Sequence, residues 1–86
     1  MLSKNEKLLN KLLSNPKDFT YKELKKLLQS FGFEEDNKGK TSGSRVVFYN
    51  SRYGYRIFLH KPHPIEVLKQ YQINVVVSCL SEWRLI

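Results

Sequence analysis

The sequence predicts an α+β domain: a three-stranded antiparallel sheet with helices packed on one face. Three observations carry this. Leucines recur at helical spacing through the first 30 residues. Two runs rich in β-branched and aromatic residues, Arg45–Asn50 and Tyr55–His60, flank a glycine-bearing turn. Helical spacing then returns near the end of the chain. At 86 residues there is room for one core, so the expected organisation is a helical extension over 1–18 and a single domain over 19–86.

The first helix is expected over residues 3–14. Leu8, Leu9, Leu12 and Leu13 form one stripe, Lys4, Lys7 and Lys11 another, and Asn15-Pro16 ends it. This segment packs either on the domain or on a partner. Thr20-Tyr21-Lys22-Glu23 reads as a capping box that opens a helix from about 21 to 31. Tyr21, Leu24, Leu27, Leu28 and Phe31 share a face, and Gly32 suits the position just past the end. Phe33–Asp36 reads as a short strand, with its consecutive acids expected in solvent, and Asn37 to Gly43 as a polar loop.

The next two strands can be registered. If Asn50 pairs with Tyr55 across Ser51-Arg52-Tyr53-Gly54, with Gly54 at positive φ, then Phe48 faces Ile57, Val46 faces Leu59 and Arg45 faces His60. Side chains alternate across a strand. One face is then Val46, Phe48, Ile57 and Leu59, and must be core. The other is Arg45, Val47, Tyr49, Arg56, Phe58 and His60, a mixture suited to recognition. A slip of one residue would exchange the two faces. Pro64 is expected in the first turn of a helix that continues through Ile65 and Leu68 to about Tyr71. Residues 73–82 have strand propensity in Val75-Val76-Val77, but Ile73, Val76, Val77, Leu80 and Trp83 recur at helical spacing, and helix is the reading adopted.

Net charge is +7, unevenly placed. Residues 1–30 carry seven lysines against three acids, and residues 31–61 six basic residues against three acids. Residues 62–86 balance. This favours an anionic partner, whether nucleic acid, an acidic protein or a membrane surface; solubility alone is the simpler account of the seven N-terminal lysines. No apolar run approaches the roughly 18 residues of a membrane span, and no membrane partner is expected. The N-terminus lacks a secretory apolar region. The single cysteine, Cys79, excludes an internal disulfide and reads as a buried thiol. Together these features suit a reducing, intracellular setting.

Several chemistries are excluded by pattern. Gly39-Lys40-Thr41 is not a phosphate-binding P-loop, because the glycine required five positions earlier is Glu34. Its loop can still offer backbone and lysine contacts to phosphate. No nucleophile-elbow serine motif is present. His60 and His63 can move protons near neutrality. They lack the further ligands a metal site needs, so neither a metal nor a small-molecule cofactor is expected. Val47, Tyr49 and Phe58 suit stacking on bases or ribose, or packing against a partner protein.

The order helix, three strands, helix resembles the double-stranded-RNA-binding fold. More narrowly, three stretches resemble the HicA family of toxin–antitoxin modules. They are Phe31-Gly32-Phe33 after the first core helix, Gly43-Ser44 at the mouth of the second strand, and His60-Lys61-Pro62-His63-Pro64 after the third. Leu68, Tyr71 and Ile73 fit the following helical part, and the match covers about residues 20–82. The resemblance implies a cytoplasmic mRNA-cleaving toxin that works without ribosomes and is neutralised by a HicB-type antitoxin. It also implies a catalytic histidine after Gly-Ser, where this chain has Arg45. Arginine cannot serve as a base at neutral pH but binds phosphate in a fork. The expected catalytic pair is therefore His60 and Arg45, with RNA contacts from Lys38, Lys40, Ser44, Tyr49, Arg56, Phe58, Lys61 and His63. The alternative is a non-catalytic module of the same fold that binds RNA or an antitoxin.

Overall fold

A computed structural model describes residues 3–36, 45–61 and 66–86. The elements are α1 (Lys4–Leu13), α2 (Tyr21–Ser30), β1 (Phe33–Asp36), β2 (Arg45–Asn50), β3 (Tyr55–His60) and α3 (Gln70–Glu82). The three strands form one antiparallel sheet in the order β1-β2-β3, and the helices cover one face. The expected α+β architecture is the one observed.

α1 and α2 begin and end where local chemistry dictates. Ser3 caps α1 by accepting from the Glu6 N–H, and Asn15 takes a left-handed φ of 62° just past its end. Thr20 and Glu23 form the reciprocal capping box of α2, and Gly32 follows that helix at φ +92°. The core joins Leu12 of α1, Leu24, Leu27 and Leu28 of α2, and Ile73, Val76 and Leu80 of α3 to Phe33, Val46, Phe48, Ile57 and Leu59 of the sheet. The apolar stripe of α1 is narrower than its sequence implies: Leu12 is buried, Leu8 and Leu9 are partly covered, and Leu13 is half exposed.

The hairpin register is Arg45↔His60, Val46↔Leu59, Val47↔Phe58, Phe48↔Ile57, Tyr49↔Arg56 and Asn50↔Tyr55. Asn50 is the device that fixes it. Only 1% exposed, its side-chain amide donates to the Phe31 carbonyl at 2.9 Å and its oxygen accepts from the N–H groups of Arg52 and Tyr53 at 3.0 and 3.3 Å. The Asn50 carbonyl also accepts from the Gly54 N–H at 2.7 Å, with Gly54 at φ +74°. A Cβ on Gly32 would lie 3.4 Å from the Asn50 amide nitrogen at a φ that side chains avoid, so the helix end and the hairpin turn are matched.

Three local expectations are corrected. Residues 66–69 are not the first turns of a helix. The backbone there pairs with the entry to α2, Tyr21 N–H donating to the Glu66 carbonyl at 2.9 Å and Leu68 N–H to the Phe19 carbonyl at 2.8 Å. This pairing holds Leu68 in the core and delays the helix to Gln70; Pro64 itself lies outside the described residues. Glu35 is not a solvated acid. Alternation in β1 turns it toward the helices, where it accepts from the Tyr21 hydroxyl and meets the Lys25 ammonium at 3.7 Å. Cys79 is partly rather than fully buried, and burial pushes its thiol above the usual range.

α1 is tied to α2 by Lys11, whose ammonium lies 2.9 Å from the Glu23 carboxylate and 3.7 Å from that of Asp18. Burial disfavours the Glu23 anion, but donation from the Thr20 backbone and from Lys11 outweighs it and holds the carboxyl below its ordinary value. A depressed folded-state pKa adds stability above the unfolded value and loses it as pH falls through the folded value. Glu23→Gln should therefore flatten the loss of stability on acidification below about pH 4.3, read from urea midpoints across that range. Asn50→Ala leaves buried backbone groups unpaired. It should cost about 2–3 kcal/mol in urea unfolding.

Candidate functional site on the open sheet face

The face of the sheet away from the helices carries Glu34 and Asp36 from β1, Arg45, Val47 and Tyr49 from β2, and Arg56, Phe58 and His60 from β3. Three cross-strand rows run over it: Glu34–Tyr49–Arg56, Asp36–Val47–Phe58, and Arg45–His60. Arg45, Arg56 and His60 are exposed, and Phe58 leaves 54% of its surface in solvent.

The cations and rings are interleaved. The Arg45 guanidinium carbon sits 5.9 Å from the Phe58 ring centroid, and that of Arg56 5.1 Å from the Tyr49 centroid. Stacking of this kind adds about 0.5–1 kcal/mol at an exposed site and holds each guanidinium near the sheet surface. Charge is ordered across the strands, acid on β1 and base on β2 and β3. Among the described residues no group of three or more His, Cys, Asp or Glu side chains gathers where it could hold a metal ion.

The end of β3 is anchored by two contacts that pattern reading missed. Gln72, in the first turn of α3 and 3% exposed, donates its amide to the His60 carbonyl at 2.7 Å and accepts from the Lys69 N–H at 2.9 Å. One side chain thus fixes both the backbone of His60 and the start of α3. Lys61 is not an unencumbered cation: its ammonium lies 3.2 Å from the Glu66 carboxylate and 5.2 Å from the Tyr21 ring centroid. Of the sequence-derived site residues, Arg45, Tyr49, Arg56, Phe58 and His60 share the open face and Lys61 adjoins its β3 end. Lys38, Lys40, Ser44 and His63 lie outside the described residues. Gln72 stands among other polar residues at the start of α3, Gln70 and Asn74, so nothing in the local pattern singled it out. An asparagine opening a four-residue turn was the signal for Asn50.

Fold and site together define a small α+β domain that backs a three-stranded sheet with helices and presents guanidinium, imidazole and aromatic groups on the bare side. A family model described as HicA toxin of bacterial toxin–antitoxin matches residues 21–77. The chain belongs to the HicA toxin family. It is therefore the toxin of a toxin–antitoxin pair, which implies an antitoxin partner. No curated protein and no solved structure shows significant similarity to it. Among the described residues no helix is long and apolar enough to cross a membrane.

Gln72→Met removes both hydrogen bonds while filling similar space. Leaving the His60 carbonyl and the Lys69 N–H unpaired should cost about 1–3 kcal/mol in urea unfolding and speed amide exchange at Lys69. An unchanged midpoint would show that water replaces both bonds.

Proposed function

We propose that this chain is a metal-independent RNA endonuclease that cuts mRNA in the cytoplasm, with Arg45 and His60 as its reactive pair and a HicB-like antitoxin as its inhibitor. The observation that carries this reading is the register position of Arg45 directly opposite His60, both exposed, on a face floored by rings. His60 accepts the 2′-hydroxyl proton of a ribose as the O2′–P bond forms. The P–O5′ bond then breaks, and the leaving oxygen takes a proton from the imidazolium or from water, giving a 2′,3′-cyclic phosphate and a 5′-hydroxyl. Arg45 offsets the charge that builds on the phosphoryl oxygens in between.

Tyr49 and Phe58 stack on unpaired bases, and Arg56 holds the backbone along β3. Lys61 joins it by exchanging Glu66 for a phosphate. Lys38, Lys40, Ser44 and His63 complete the RNA contacts in this reading. Arginine standing where the family resemblance expects a proton-transferring histidine favours a second reading, a module that binds RNA or antitoxin without cutting.

The purified protein should cut an mRNA transcript in EDTA and leave cyclic-phosphate ends. His60→Ala should lower the rate about 10²–10⁴-fold, and Arg45→Ala about 10²–10³-fold, each with its fold intact by circular dichroism. RNA binding without cleavage by the parent protein would establish the second reading. Undiminished cleavage by His60→Ala would remove the imidazole from the mechanism.

A further inference from the structure

At the opposite end of the hairpin from Arg45 and His60, a column of aromatic rings runs from the core to the turn. Phe33 stacks on Trp83 with centroids 6.1 Å apart, Trp83 on Tyr55 at 4.3 Å and 1° between planes, and Tyr55 on Tyr53 at 5.3 Å and 22°. The inner members close the core, where Phe33 is buried and Tyr55 and Trp83 are packed against it. Tyr53 is different. It is half exposed, and the Arg52 guanidinium carbon lies 5.4 Å from its centroid.

Closure of the turn does not require the Tyr53 ring. Asn50 accepts from the backbone N–H groups of Arg52 and Tyr53, and Gly54 supplies the positive φ. These bonds fix the backbone from which the ring projects, and Tyr55 supports one of its faces. The turn Ser51-Arg52-Tyr53-Gly54 adds a cation and no acid. A supported ring beside a guanidinium at a rigid, exposed tip has the chemistry that receives a flat, π-rich group attached to an anion.

We propose that Tyr53 and Arg52 form a second RNA subsite, in which an unpaired base stacks on Tyr53 and the Arg52 guanidinium moves onto the adjoining phosphate. This rests on the RNA reading above but not on any catalytic role of His60. Six-residue strands rise roughly 3.3 Å per residue, so the subsite lies about 17 Å along β3 from the Arg45–His60 row. Tyr55 alternates with Arg56 and belongs to the helix side of the hairpin, so a single strand gripped at both places turns around the hairpin tip. Base-paired RNA offers no unstacked base and gains nothing here.

The test is fluorescence anisotropy with an end-labelled, unstructured RNA in the His60→Ala background, so that binding is read without turnover. Tyr53→Ala should weaken binding about five- to a hundredfold, while Tyr53→Phe retains it. Arg52→Ala should reduce the steepness of the log-affinity against log-salt plot by about 0.7. Duplex RNA should bind Tyr53→Ala as well as it binds the parent. Because Tyr53 is the outermost ring, unchanged Trp83 emission will show that the column beneath it is intact. Equal binding of the single strand by parent and Tyr53→Ala overturns the subsite while leaving the RNA reading in place. Absence of RNA binding by the parent overturns both. Loss of antitoxin affinity alone in Tyr53→Ala also overturns the proposal and assigns the tip to the protein partner.

Discussion

The register of β2 against β3 is the constraint on which both the core and the site depend. Strand side chains repeat every two residues, so a shift of one position would send Val46, Phe48, Ile57 and Leu59 into solvent. The same shift would press Arg45, Arg56 and His60 against the helices, where burying a charged group costs several kcal/mol per ion. Each apolar side chain lost from the core forfeits about 1.5–3 kcal/mol. A domain of this size has a total stability of only about 5–15 kcal/mol, so the slipped hairpin is not a competing fold. The two faces are one decision, because the pattern that builds the core also leaves the cations and rings bare.

That register is clamped at both ends by buried amides on single side chains. Asn50 holds the turn end, joining the Phe31 carbonyl at the close of α2 to the backbone of the loop. Gln72 holds the open end, joining the His60 carbonyl to the start of α3. The backbone pairing of 66–68 with 19–21 then ties the approach to α3 to the entry of α2. The helix layer therefore does more than cover the sheet. It sets the height and angle at which the last residue of β3 leaves the strand, and so places the imidazole that the proposed chemistry needs.

Much of this was legible in the sequence because it depends on short-range rules. The capping box at Thr20 and Glu23, Gly32 past the helix end, Gly54 in the turn and the alternation through Arg45–His60 each have a local cause. Residues 73–82 were separable from strand by their helical spacing despite three consecutive valines. What escaped depends on tertiary partners. Residues 66–69 carry a plausible helix start, but the free backbone groups of Phe19 and Tyr21 claim them as an extended strap. Glu35 sits between two other acids and looks solvated, but the lysine and tyrosine that engage it come from α2. The amides of Asn50 and Gln72 find their carbonyl partners 19 and 12 residues away, a distance over which pattern reading has no warrant.

The distribution of charge on the open face decides how an anionic chain would lie on it. Acid occupies β1, Tyr49 the middle strand, and base β3, where Phe58 sits between Arg56 and His60, together with Arg45 at the end of β2. Adjacent strands are about 4.8 Å apart, so the β1 backbone lies two strands from that of β3, while the Arg56 guanidinium leans over Tyr49 on the strand between. Acidic residues on β1 make that side of the face less favourable to phosphate than the β3 side. In the proposed reading this drives the RNA backbone to the outer edge of β3, past Arg56 and His60, and turns its bases inward over Phe58 and Tyr49. The Arg45–His60 row then meets the backbone rather than the bases. A guanidinium and an imidazole can act on a phosphodiester from there without any base-specific contact.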